Sequence, residues 1–201
     1  MSKVVLTKDE FLKRFILNEV PTSTHNYKHT VTEGLPLKPA AVLIGLHEST
    51  HINTGLNVIL TKRASHLKHH PSQISFPGGK AEIFDKDLIA TALREAEEEI
   101  GLCPSNVDVI GQFPAYQTIS GYLVTPIIGI VKDNLTFTID ENEVSEIFHV
   151  PLSFYLSTKN HHSVDIYKQG ETFKVHYLPY QDYNIWGATA SMLKDLIEHI
   201  S

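Results

Sequence analysis

Apolar positions recur along this 201-residue chain with two different periods, and the switches between them outline the elements. Thr7 to Glu10 has the form of a capping box, and Phe11, Leu12, Phe15 and Ile16 follow at helical spacing, which predicts a short amphipathic helix. Residues 21–37, with Pro21 and Pro36 and with Pro39 just beyond, read as a loop. Strand character begins after it. AAVLIGLH (40–47) and LNVILTKRA (56–64) are β-rich and joined by the polar STHINTG, the pattern of a hairpin. NVDVIGQFPAYQT, LVTPIIGIV and FKVHYLPY (173–180) read as further strands, whereas DENEVSEIFHVPL reads as an acidic loop leading to Val150-Pro151. Two longer segments carry the helical period, one with Ile89, Ala92, Leu93, Ala96 and Ile100 and one with Leu193, Leu196, Ile197 and Ile200. Mixed strands with helices between and after them imply an α/β protein whose sheet packs between helices. No repeat, low-complexity tract or second domain is visible, so residues 1–201 read as one domain in which residues 1–37 form an N-terminal helix and loop extension.

The polar side of the first long helix is its unusual part. ALREAEEEIGL (92–102) places Glu95, Glu98 and Glu99 on one face, while Glu97 points away to solvent. Like charges at that spacing cost an isolated helix roughly 0.2–0.5 kcal/mol per pair, and the helix C-terminus adds to the penalty. A glycine-rich turn, Pro77-Gly78-Gly79, precedes the helix, Asp85 or Asp87 is placed to cap its start, and Gly101 to cap its end. Oxygen-rich, thiol-free clusters beside such a turn suit hard cations, Mg²⁺ or Mn²⁺, which offset the repulsion and bridge to phosphates. The plain alternative is a solvated acidic face.

Composition narrows the picture further. The net charge of −6 gives no basic footprint for nucleic acid. Cys103 is the only cysteine, which removes intrachain disulfides and thiol metal clusters and fits a reducing, cytoplasmic setting. The N-terminus lacks the apolar core of a signal peptide, and no stretch approaches a membrane span, so neither nucleic acid nor membrane is expected as a partner.

The run from Gly79 to Leu102 resembles the box of the Nudix hydrolases, Gly-x5-Glu-x7-Arg-Glu-U-x-Glu-Glu-x-Gly-U with U apolar. Arg94, Glu95, Ala96, Glu98, Glu99, Gly101 and Leu102 match its second half. The first half departs, because Asp85 stands at the glutamate position and eight residues then separate it from Arg94. Upstream, LTKRASHLKHHPSQISFPGG (60–79) is similar to the signature of the coenzyme A diphosphatase branch. Leu60, Thr61, Arg63, Phe76, Pro77, Gly78 and Gly79 match, with Ile59 for leucine, Ala64 for serine, Lys68 for arginine and Ser72 for glycine.

The resemblance implies a Nudix α/β/α sandwich with a mixed sheet between helices. It implies metal ligation by Glu95, Glu98, Glu99 and the Gly79 carbonyl, catalytic roles for Arg94, Glu95 and Glu98, and Arg94 holding Glu95. Arg63, Lys68 and Phe76 are the substrate-binding candidates, Arg63 because its fork matches a phosphate. Glu143 and Glu146 are candidates for an additional base or ligand, with a box glutamate as the alternative. His66, His69 and His70 offer protonatable contacts near a phosphate in preference to a zinc site, and Trp186, Tyr180 and Tyr183 either stack on a base or pack. The implied substrate is coenzyme A or its thioesters. Another nucleoside diphosphate conjugate, such as ADP-ribose or a dinucleotide, and a silent nucleotide-binding module are the alternatives.

Overall fold

Strand β1 (Lys38–Glu48) alternates between two apolar environments, and that alternation sets the layers. Ala41 and Leu43 face one cluster with Ile59, Ile127 and Val131, and against it packs helix α2 (Leu88–Ile100) through Ala92, Ala96 and Ile100. Ala40, Ile44 and Leu46 face the other, with Val58, Val124, Ile128 and Ile130, and this side is covered by α1 (Lys8–Leu17) and α4 (Gly187–His199). The result is the α/β/α sandwich that the sequence implies. A computed structural model of the chain describes residues 5–19, 36–48, 55–67, 70–132, 135–168 and 171–201. The expected loop at 21–37 lies outside these residues except for its last two. Among the described residues no helix is long and apolar enough to cross a membrane.

The central sheet is mixed. β1 runs parallel to β7 (Tyr122–Val131) and antiparallel to β2 (Leu56–Arg63), the expected hairpin partner. β5 (Val107–Gln112) and β6 (Tyr116–Gln117) both pair with β7, so the segment read as one strand is broken in two. β1 and β2 stay paired only from Leu46 and Val58 to Glu48 and Leu56. Beyond that point β2 turns to β3 (Ile74–Ser75) and β1 to β4 (Gly78–Lys80). The wedge between them is filled by Phe76 and Pro77, whose carbonyl accepts the Leu43 N–H at 2.8 Å. The glycine turn is thereby built into the sheet.

Three expectations need correction. The segment read as an acidic loop contains β8 (Val144–Pro151), which pairs along the other edge of β2 and sends Val144, Phe148 and Val150 inward. After the short helix α3 (Leu152–Tyr155), an unexpected strand β9 (His162–Lys168) forms a separate hairpin with β10 (Glu171–Tyr177). Ile16, placed on the apolar side of α1, is 74% exposed. Successive 100° rotations put it about 140° from Phe11, beyond the stripe that Phe11 and Phe15 bury.

The cap of α1 is as expected: the Thr7 hydroxyl accepts the Glu10 N–H. Phe15 then stacks on Phe11 and Phe113 and meets the His199 ring edge-on, and Arg14 donates to the Ile200 carbonyl at 3.1 Å. α1 is thus fastened to the end of α4. Truncating Phe15 to alanine is expected to cost about 3–5 kcal/mol in urea unfolding, whereas Ile16→Ala is expected to stay within about 0.5 kcal/mol.

Candidate active site

Helix α2 begins where Asp87, not Asp85, accepts the Ala90 N–H at 2.7 Å. It ends at Gly101, whose φ of 67° lets its N–H reach the Glu97 carbonyl while the Leu102 N–H reaches Ala96. Asp85 is thereby released for another task. Its two oxygens take Arg94 bidentately, Nε to Oδ1 at 2.9 Å and Nη2 to Oδ2 at 3.0 Å. The Thr91 hydroxyl and the Glu82 N–H also donate to Oδ2. The extra residue before Arg94 therefore leaves the acidic position filled, with a shorter side chain reaching the same fork.

Held in that way, Arg94 points its remaining donors at three groups. Nη1 donates to Glu95 at 2.8 Å and to Glu98 at 3.0 Å, and Nη2 to the Lys80 carbonyl at 3.1 Å. One guanidinium thus joins the helix, the loop before it and the glycine strand β4. The contact between strand and helix is close: a Cβ on Gly79 would lie 2.4 Å from the Glu95 carboxylate, and one on Gly78 2.5 Å from the Ala41 carbonyl. Gly78 is blocked by backbone and requires glycine, whereas at Gly79 the atom in the way is the end of a side chain that can move.

Glu99 sits on the same helix in a different environment. It is 3% exposed, accepts the Gly78 N–H at 3.3 Å, and has Arg63 Nη1 at 3.7 Å, outside hydrogen-bonding range. Burial pushes its carboxyl up to about 8, against the pull of Arg63 and the Gly78 N–H, and the charges of Glu143 and Glu95 push the same way. Burial also raises Glu95, opposed by Arg94. Glu98 is exposed, and Glu97 faces solvent as expected.

Crowded carboxylates with only oxygen donors fit a hard divalent cation. Among the described residues, however, no three acidic, histidine or cysteine side chains already converge on one point. The reason is Arg94, which draws Glu95 and Glu98 toward Nη1 while Glu99 turns to Gly78 and Arg63.

Arg63 reaches from the end of β2 to the rim of a cavity of about 640 Å³, lined also by Phe76, Gly78, Gly79, Lys80, His70 and Trp186. Phe76 is buried and forms part of its wall. Lys68 and His69 lie outside the described residues. His70 accepts or donates one bond with Gln73 at 2.7 Å, and both His70 and Ser72 have positive φ, so Ser72 adopts the left-handed conformation where the branch signature has glycine. Glu143, in the turn before β8, lies close enough for its charge to reach Glu95 and Glu99. Glu146, by contrast, is on β8 and takes the Tyr183 hydroxyl at 2.5 Å. Tyr183 stacks on Phe148 and Tyr180 meets Phe154 edge-on, so these two tyrosines pack. The grip of Asp85 on Arg94 is not apparent from the sequence alone. Its signal was an aspartate left over once Asp87 caps the helix.

Comparison with known proteins agrees with this geometry, since the NUDIX domain model matches residues 37–195. The chain belongs to the Nudix family. It is 41% identical over 191 residues to the uncharacterized Nudix hydrolase NudL of Salmonella paratyphi B, covering 95% of this chain and 93% of that relative. It is 39% identical to the NudL protein of Escherichia coli strain SMS-3-5, over the same shares of each chain. A Nudix hydrolase structure from Alicyclobacillus acidocaldarius superposes with a TM-score of 0.52 at 17% identity, covering 82% of this chain and 93% of that one, a likeness of fold. As a Nudix hydrolase the chain acts on diphosphate linkages of small nucleotide-type substrates, and the family generally uses divalent metal ions.

Two outcomes follow from the clamp and the glycine contact. In Gly79→Ala the new methyl group displaces the Glu95 carboxylate, the movable partner, so kcat is expected to fall about 100-fold with little change in thermal stability. Arg94 holds the Asp85 carboxyl well below its ordinary value of 3.8, with the Glu82 N–H and the Thr91 hydroxyl assisting. A depressed folded value means that this stabilisation is complete above pH 4 and is lost as pH falls below it. Between pH 5 and pH 3 the unfolding free energy of the wild type should therefore fall more steeply than that of Asp85→Asn. Equal slopes would remove the clamp from the account.

Proposed function

We propose that this Nudix hydrolase cleaves the diphosphate bond of coenzyme A or its thioesters, releasing 4′-phosphopantetheine or its acyl form and adenosine 3′,5′-bisphosphate. The observation that carries the reading is the position of Arg63. It stands between the buried Glu99 and the cavity, on the segment whose residues resemble the coenzyme A diphosphatase signature. At 3.7 Å its hold on Glu99 is loose, which leaves the fork free to grip a phosphate oxygen bidentately. Lys68 is the second candidate cation for the same group.

In this reading Glu95, Glu98, Glu99 and the Gly79 carbonyl hold Mg²⁺ or Mn²⁺. When bound, the ion neutralises phosphate charge and lowers the pKa of water. The chain's own residues do the rest. Arg94, fixed by Asp85, sets the direction of Glu95. The Gly78 and Gly79 backbone admits the diphosphate close to the helix because no side chain intervenes. Glu143, whose charge reaches both Glu95 and Glu99, is the candidate base. The whole chain acts as a single catalytic unit, with α1 packed into the same core as α4, and the lone Cys103 fits a cytoplasmic location.

The register of the acidic face and the substrate can be tested together. Glu98→Gln and Glu99→Gln are expected to lower kcat by at least two to three decades, as the loss of electrostatic stabilisation worth about 3–4 kcal/mol implies, with Glu97→Gln near wild type. If Arg63 or Lys68 reads the 3′-phosphate, coenzyme A should exceed 3′-dephospho-coenzyme A in kcat/KM by about one to two decades, and alanine at the responsible cation should close the gap. Equal rates on the two compounds would sink the coenzyme A reading and favour another nucleoside diphosphate conjugate such as ADP-ribose.

A further inference from the structure

Every N–H of the Arg94 side chain is taken. A guanidinium carries its donors in one plane, and here Nε donates to Asp85, Nη1 to Glu95 and Glu98, and Nη2 to Asp85 and the Lys80 carbonyl. Bonds in that plane stop the fork from sliding within it. They resist a tilt out of the plane less well, because such bonds weaken steeply only below an N–H···O angle of about 120°. The face of the guanidinium is therefore the direction that the hydrogen bonds leave open. Phe84 lies there: Cζ of Arg94 sits over its ring, 5.5 Å from the centroid. The turn that carries Phe84 is closed twice, by the Asp85 N–H to the Glu82 carbonyl at 3.1 Å and by the Glu82 N–H to Asp85 Oδ2 at 2.9 Å, so Ile83 and Phe84 occupy its centre. Ile83 is wholly exposed, whereas Phe84 is turned back toward Arg94 and is still 71% exposed.

We propose that Phe84 is a positioning residue for hydrolysis: its ring holds the Arg94 guanidinium in the plane from which it directs Glu95. This rests on the hydrolase reading above and holds for whichever nucleotide conjugate is the substrate. A ring left so exposed gains little from burial, and its gain at this place is electrostatic, since the negative face of an aromatic ring attracts a cation. Arg94, at 18% side-chain exposure, keeps little water to compete for that face. Two consecutive residues thus hold one arginine from perpendicular directions, Asp85 along its edge and Phe84 on its face. Loss of the ring leaves all the hydrogen-bond partners in place and loosens only the plane, so turnover falls while substrate affinity does not.

The arginines of the chain are Arg14, Arg63 and Arg94, so the Nε–Hε resonance of Arg94 is assigned by its absence from Arg94→Lys. In the full-length protein without substrate, the ring current of Phe84 should hold that proton upfield. In Phe84→Leu, which keeps apolar bulk and loses the ring, it should move downfield and exchange with water about fivefold faster. Turnover is then measured with Mg²⁺ on coenzyme A and on ADP-ribose. On whichever is cleaved, Phe84→Leu should lower kcat about fivefold and leave KM within about twofold. Phe84→Tyr keeps the ring and should recover at least half of the wild-type kcat, and Ile83→Ala, at the neighbouring exposed side chain, should match the wild type. An Arg94 resonance unmoved in Phe84→Leu would overturn the inference, as would an unchanged kcat, a loss carried by KM, or a loss in Phe84→Tyr as large as in Phe84→Leu. Cleavage of ADP-ribose alone discards the coenzyme A assignment and keeps the test of Phe84. With neither compound cleaved the coenzyme A reading falls, and the Arg94 resonance alone decides whether Phe84 holds the fork.

Discussion

The ion pair between Asp85 and Arg94 is the constraint on which the site depends. A partly buried guanidinium–carboxylate pair adds little net stability, because the desolvation of the charges offsets much of their attraction. Its value here is geometric. Asp85 receives two arginine N–H groups, a hydroxyl and a backbone N–H, so its position is fixed from several directions. Arg94 then has no freedom to choose which way its other donors point, and they fall on Glu95, Glu98 and the Lys80 carbonyl. Helix, loop and glycine strand become one unit, and the carboxylates on the helix are presented to the backbone of Gly78 and Gly79 at contact distance.

The sheet prepares the other half of that contact. By separating after a short paired stretch, β1 and β2 make room for β3, Phe76, Pro77 and β4 to enter the sheet itself. The glycine turn thus has the rigidity of a strand while remaining free of side chains. Burial of Glu99 and the charges of Glu143 and Glu95 beside it disfavour its ionised form, and a divalent cation bound there would offset that penalty.

Much of this was legible in the sequence because it is local. The periodicity of Ile89, Ala92, Ala96 and Ile100 places α2 and its acidic face, the Thr7 cap begins α1, and Gly101 ends α2. What was not legible depends on contacts that periodicity does not encode. β8 starts in an acidic run, and its inward residues Val144, Phe148 and Val150 are interrupted by half-buried ones, so the strand shows itself only beside β2. β9 carries exposed side chains on both faces and leaves no burial pattern to read. Two aspartates precede α2, and only the folded loop assigns Asp87 to the cap and Asp85 to Arg94. Glu143 and Glu146, equivalent in the sequence, are distinguished by Tyr183, which engages one of them.

A double-mutant cycle joining Asp85→Asn and Arg94→Lys, read in kcat, tests the central claim most directly. If Asp85 acts by fixing the arginine fork, lysine at position 94 already forfeits that geometry, since it keeps the charge and loses the bidentate grip. Each single change is then expected to lower kcat strongly, and the double variant should be no slower than the slower single one. Multiplicative losses in the double variant would show that the two residues act independently, and the clamp would no longer explain how the acidic face is held.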